Sequence, residues 1–228
     1  MRYTFFFYVM LLATLLFACQ QDPSPASTPK NYVADLYVRY LEEEKNLKAT
    51  ATFFEEQDSS KELIPWQPTG KVLFQASSME EKNIQNGLVR YIKESNDLSF
   101  MPPYQFSFDS GEEKVKLQMD PIGLLTLDQA ADKQAGIQLK VEGGQLKRSE
   151  SMVFLFSDAN NKAYSHTVEG PQDQGTYRLS AEDIADWPSG DGQLYLIKKQ
   201  QSTIKTDNWT YQTQVEFYSK TLNLTLQN

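Results

Sequence analysis

The chain has 228 residues, a formal net charge of −8 at pH 7, one histidine and one cysteine. Phosphate backbones and anionic bilayers repel such a chain, so nucleic acid is excluded as a partner and charge alone would not hold it on a membrane. A single thiol allows no disulfide within the chain, so stability has to come from packing.

The first element runs from Met1-Arg2 through an apolar stretch, Phe5 to Ala18, and is stopped by Gln20-Gln21-Asp22. A basic start, a short apolar core and a polar stop are the layout of a secretory signal, and the run is shorter than the roughly 20 residues of a membrane-spanning helix. Leu16-Phe17-Ala18-Cys19 resembles the lipobox of bacterial lipoproteins. The resemblance implies that the leader 1–18 is removed, that Cys19 carries a diacylglycerol thioether, and that its new amino group is acylated. Such a transfer needs a thiolate nucleophile, and the small Ala18 lets a peptidase approach the backbone. One acyl chain binds reversibly, at about 0.8 kcal/mol per buried methylene, and two or more make the anchor durable. Gln20 stands where an inner-membrane retention signal would have Asp, so the resemblance implies the outer membrane. Surface-exported lipoproteins of Bacteroidota-like bacteria carry acidic residues after the cysteine. This chain offers only Asp22, which leaves both the periplasmic face and the cell surface open.

Residues 19–30 form a tether, with Pro23, Pro25 and Pro29 among small polar residues. Val33, Leu36, Val38, Tyr40 and Leu41 then alternate, turn around Glu43–Asn46, and return through Leu47–Phe54. This predicts a β-hairpin with Ala49, Ala51 and Phe53 on one face; a helix over 33–45 is the rival reading. Ile64-Pro65-Trp66-Gln67-Pro68 is a proline-broken crossing, not a central strand. Further strands are predicted at Lys71–Ala76, Leu88–Ile92, Tyr104–Phe108 and Val115–Met119, with a polar or helical turn at Met79–Lys82. Leu124–Leu127 is read as the last strand of this unit, and the polar stretch after it as a linker.

The second unit opens with Ile137, Leu139 and Val141 in alternation. Met152–Phe156 is predicted as a central strand, followed by a turn at Asp158–Lys162 and a partner strand carrying Tyr164, His166 and Val168. Ser180, with Asp183 three residues on, predicts an N-capped helix of one or two turns ended by Pro188. A long hairpin, Gln193–Lys205 and Trp209–Leu226, closes the chain. Short strands between regular turn signals predict an all-β chain: two immunoglobulin-like β-sandwiches in tandem, 31–128 and 137–228, joined by 129–136. That layout resembles tandem immunoglobulin-like lipoproteins of Bacteroidota-type bacteria, a likeness of fold that implies no activity.

No motif in either unit brings chemistry together. His166 has no Gly-x-Ser-x-Gly elbow to serve, and one histidine without a free thiol does not make a zinc site. Asp158–Asn161 and Asp207-Asn208 fit turn chemistry better than a calcium loop. Thirty acidic residues offer no pair to single out for glycan hydrolysis. Trp66, Trp209 and Tyr211 are the candidates for stacking on a ligand such as a sugar ring, against core or edge packing as the alternative. The chain is therefore expected to be a lipid-anchored envelope protein without cofactor or metal, and a non-catalytic binding or structural module. Its partners would be the membrane, through Cys19, and an envelope protein or glycan. A glycan-binding lipoprotein similar in layout to those of starch-utilisation systems is the alternative, and a hydrolase the third.

Overall fold

The computed structural model describes residues 30–57 and 60–228. The leader 1–18, Cys19 and the tether up to Pro29 lie outside the described residues. Among the described residues, no helix is long and apolar enough to cross a membrane.

The strands are, in order, β1 (Asn31–Leu41), β2 (Asn46–Glu56), β3 (Leu63–Pro65), β4 (Leu73–Phe74), β5 (Ser77–Ser78), β6 (Glu80–Asn83), β7 (Val89–Ser95), β8 (Tyr104–Phe108) and β9 (Glu113–Leu117). There follow β10 (Leu125–Leu127), β11 (Ile137–Val141), β12 (Glu150–Asp158), β13 (Ala163–Glu169), β14 (Thr176–Leu179), β15 (Gly190–Lys205), β16 (Trp209–Tyr218) and β17 (Leu222–Leu226). The chain is all-β, and its sheets pack face to face as sandwiches.

Ten strands make one sheet, ordered β13-β12-β15-β16-β1-β2-β7-β6, with β17 beside β15 and β3 beside β2. A four-stranded sheet (β5-β4-β8-β9) and a three-stranded sheet (β10-β11-β14) complete the fold. The alternation read in the first hairpin holds: Ala49, Ala51 and Phe53 are fully buried, and so are Leu36 and Val38 opposite them. The helix alternative over 33–45 falls because these residues bury one face at period two.

The closing hairpin does more than close the second unit. β15 runs for 16 residues. Along one side it pairs β12 through Gly192–Gln200. Along the other it pairs β17 through Gly190–Leu194 and β16 through Ile197–Lys205. β16 then lies parallel to β1, Trp209 opposite Tyr32 and Phe217 opposite Tyr40. Ser219 bridges the step between β16 and β17, where its hydroxyl accepts from Leu196 N–H (2.9 Å) and its own N–H donates to Leu196 O (2.9 Å). One sheet thus runs through both sandwiches. Lys198 stands opposite Met152 on one side and Phe217 on the other, which puts both covered areas on the same face of that sheet. The four-stranded sheet covers it through Phe106, Phe108 and Leu117, and the three-stranded sheet through Leu139, Tyr177 and Leu179. Each such side chain, when fully buried, contributes roughly 1.5–3 kcal/mol of transfer free energy.

Several local expectations give way to pairing. Met79–Lys82 is not a turn; Met79 is buried and Glu80–Asn83 forms edge strand β6 on β7. Leu125 and Leu127 pair with Val141 and Leu139, so this strand belongs to the three-stranded sheet of the second sandwich and does not close the first. Residues 129–136 form the connection within that pairing. The Asp132 carboxylate accepts from Gln134 N–H (2.7 Å) and Ala135 N–H (2.8 Å). Gly136, at φ 87°, passes so close to the Leu179 carbonyl that a Cβ would sit 2.2 Å from it. The capping pattern at Ser180 forms, since Ser180 N–H and Oγ both reach the Asp183 carboxylate at 2.8 Å. No helix grows from it: Trp187 N–H turns back to Ile184 O at 3.0 Å, and Pro188 follows immediately.

Candidate functional site

With both small sheets on one face, the other face of the ten-stranded sheet is left without a covering layer among the described residues. It carries the side chains that alternate with the core residues: Tyr37 and Arg39 on β1, Gln214, Glu216 and Tyr218 on β16, and Tyr195, Lys199 and Gln201 on β15. These residues come from opposite ends of the chain and meet only because β16 lies beside β1.

Glu216 is the centre of the group. Its carboxylate accepts from the Tyr37 hydroxyl (2.6 Å), the Tyr218 hydroxyl (3.0 Å) and the Gln214 amide (2.7 Å), and Lys199 Nζ stands 3.5 Å away. The residue is only 5% exposed although it sits on the outer face, because its neighbours close over it. Burial alone would push this carboxyl up; the two tyrosine hydroxyls, the Lys199 charge and the Gln214 amide outweigh burial and hold it below the usual carboxylate range. The phenols move the other way. Burial and then the Glu216 charge push Tyr218 up to about 12, and burial, the Glu216 hydrogen bond and its charge raise Tyr37 further. An ionised carboxylate with its lone pairs occupied is a poor proton carrier. It acts instead as a clamp that fixes the tilt of two aromatic rings, and Tyr195 stacks on Tyr218 at 6.4 Å and 29°. Next to them Arg39 lies half-buried, its Nε without a hydrogen-bond partner among the described residues. Rigid tyrosines beside a cation and amides suit contact with another surface at low entropic cost.

The residues singled out from sequence lie elsewhere. Trp66, Trp209 and Tyr211 do come together, at one end of the first sandwich core. Trp209 stacks on Tyr211 (5.7 Å, 7°) and meets Phe108 (5.2 Å) and Trp66 (5.6 Å) edge-on. Trp209 is 6% exposed, and the Tyr211 hydroxyl donates to the Glu113 carboxylate. Trp66 is half-buried and leans on Tyr32 at 4.6 Å, so Trp66 and Tyr32 are the outward layer of this cluster. His166 places Nδ1 3.5 Å from Asp183, whose carboxylate already caps the Ser180 turn. The Asp158 carboxylate accepts from Asn160 N–H and Lys162 N–H, both at 2.8 Å, which is turn chemistry. Among the described residues, no group of three or more His, Cys, Asp or Glu side chains is arranged to hold a metal ion. Cys19 lies outside the described residues.

A second ionic group is wholly internal. Lys198 is 1% exposed and donates to Gln145 O (3.0 Å) and Gly143 O (3.4 Å), with Glu150 Oε2 at 3.5 Å. The Glu150 carboxylate also accepts from Lys147 N–H at 2.8 Å. Burial pushes the Lys198 ammonium down, and Glu150 and Asp120 oppose that. The Tyr177 hydroxyl donates to the Gly144 carbonyl in the same turn. This is a structural clamp on residues 143–145. Glu216 could not be picked out in the sequence, since a charge alternating with Val215 and Phe217 reads as solvent-facing; Lys198 falls in phase with Leu194 and Leu196, but nothing in the sequence points to Glu150 as its partner.

No protein-family description matches the chain, and no characterised protein is similar to it in sequence. Among solved structures, the chain is similar to the tetra-tandem repeat in the extending region of a large adhesion protein, at 12% identity and a TM-score of 0.25. The match covers 86% of this chain and 50% of the other, so this chain spans about half the length of that structure.

Proposed function

We propose that this chain is a non-catalytic contact module of a bacterial cell envelope, moored to the outer membrane through lipid on Cys19 and using the open face of its main sheet to meet another macromolecule. The observation that carries the reading is the Glu216 cluster, in which two tyrosines are clamped by the carboxylate and a third stacks on one of them, on a face that no other layer of the described residues covers. The lipobox resemblance and the proline-bearing tether support the mooring. The buried carboxylates are engaged in clamps, which favours a binding role over acid–base chemistry.

Photo-crosslinking in cells that produce the protein tests the contact surface. A crosslinking residue at Gln212 or Thr203, on the open face, is expected to give adducts of higher mass; one at Lys116, on the four-stranded sheet, is expected to give none. Adducts that do not distinguish the two faces, or no adducts at all, would reject the reading. The mooring is tested separately: radiolabelled palmitate should enter the wild-type chain and not Cys19→Ser.

The exposed edge of the Trp66–Tyr32 pair favours a second reading, glycan binding at that end of the first sandwich. Affinity electrophoresis in polysaccharide gels should then show retardation that Trp66→Ala abolishes. Unretarded migration, or retardation that survives the substitution, removes it.

A further inference from the structure

The ten-stranded sheet ends in two very different edges. One is β6, four residues of which Glu80, Glu81 and Lys82 are charged and all four exposed. Charge on an edge strand is the usual protection against pairing with another chain. The other is β13, Ala163–Glu169, seven residues long, with no proline, no glycine, no lysine or arginine, and one acidic residue at its very end. Its phase is fixed by the bonds Asp158 N–H to Lys162 O and Gly170 N–H to Glu150 O. Tyr164, His166 and Val168 therefore bond inward to β12, and Ser165 and Thr167 turn their N–H and C=O groups outward. Ser165 and Thr167 are exposed, and among the described residues no hydrogen bond reaches those outward groups.

We propose that β13 is a docking edge for β13 of a second copy of this chain, paired antiparallel about a two-fold axis through His166. The sequence of the strand argues for a copy of itself. This register uses all seven residues. It sets each outward Ser165 opposite the partner's Thr167 as a hydrogen-bonded pair, and brings the two His166 residues together at the axis. On the inner face it sets Tyr164 opposite the partner's Val168. Both are half-buried apolar groups at the rim of the core, and an aromatic facing a β-branched residue is a favourable cross-strand pair. It also sets Glu169 opposite the partner's Ala163, so the strand's one charge meets no like charge. Sliding the register by two residues in either direction loses two of the pairs. The interface is a seam along one strand, and the contact module would present two open faces on one continuous sheet.

The test uses the full-length chain in membranes, with the wild type as control for any thiol at Cys19. His166→Cys, oxidised with copper phenanthroline, should give a product of twice the monomer mass, and its fragments should show residue 166 joined to residue 166. Thr167→Lys, which guards the edge as β6 is guarded, should reduce that product at least tenfold in the His166→Cys background. In detergent, sedimentation of the otherwise wild-type chain should show a dimer that Thr167→Lys converts to monomer without lowering the melting temperature. Thr167→Pro removes an N–H that bonds to nothing among the described residues and should act in the same way. Undiminished crosslinking in Thr167→Lys, a dimer joined elsewhere, or a monomer at every concentration would each overturn the proposal.

Discussion

The two sandwiches share a sheet but are filled differently. The first is packed with rings: Phe53 touches Phe108 at 4.8 Å, Phe108 touches Trp209 at 5.2 Å, and Phe100 lies against Phe217 at 5.0 Å. The second has fewer rings among the aliphatic Leu139, Leu179, Leu194 and Leu196: Phe156 stacks on Trp187 at 5.1 Å and 6°, and Phe154 meets Tyr177 edge-on at 5.1 Å. At its boundary with the first it places a buried ion pair, Lys198 and Glu150. Rings tolerate repacking, and a buried charge does not. The second sandwich therefore depends on a few polar contacts being made correctly, and the first on total apolar volume.

The largest break in this contrast should come from Lys198→Ala. It leaves the Glu150 carboxylate, 0% exposed, without its cation, and strands two turn carbonyls. A loss of about 3–5 kcal/mol in urea unfolding is expected, part of it recovered in the Lys198→Met, Glu150→Leu double variant, which removes both charges but leaves the turn carbonyls and Lys147 N–H without those partners. A loss below about 1 kcal/mol would show the pair to be no clamp.

Trp209→Ala should cost about 3–5 kcal/mol, and Trp66→Ala, half-buried at the rim of the same cluster, roughly 1–2 kcal/mol. Equal losses by calorimetry would contradict the layering of that cluster.

Gly192→Ala probes the packing inside the second sandwich. A Cβ there would lie 2.3 Å from the Phe156 ring and 2.6 Å from the Ser157 carbonyl. Overpacking of about 1–3 kcal/mol is expected, and a neutral result would mean that the ring has room to move.

The smallest effect is the most specific to the open face. Because the Glu216 carboxyl titrates lower in the folded chain than its unfolded value of 4.5, the stability it contributes is present above pH 4.5 and is lost as pH falls through the folded value. Glu216→Gln should lower stability at pH 7 by about 1–2 kcal/mol and flatten the acid limb of the stability curve below pH 4.5. An unchanged acid limb would remove Glu216 as the clamp of the tyrosines.

What the sequence disclosed was local. Alternation placed the 31–56 hairpin and the 104–117 strands, and turn chemistry placed Asp158–Lys162. The parallel pairing of β1 with β16 was invisible, since it joins residues at opposite ends of the chain and leaves no turn signal to read. The open-face site depends on that pairing, so Tyr37 and Tyr218 could not be joined from the sequence. The capping box at Ser180 was legible, but Pro188 leaves too little chain for a helix. Trp209 begins a strand beside a turn, a position open to ligand stacking as well as the favoured core packing, and the rings of Phe53, Phe108 and Tyr211 around it bury it.

The central claim is that β15 makes one folding body of two sandwiches. Native-state amide exchange at rising denaturant tests it most directly on the unmodified chain. The inner amides of β12 and β17 in the second sandwich and of β1 and β16 in the first should converge on one opening free energy with one denaturant slope. Two separate free energies, with β12 and β17 opening while β1 and β16 stay protected, would contradict it.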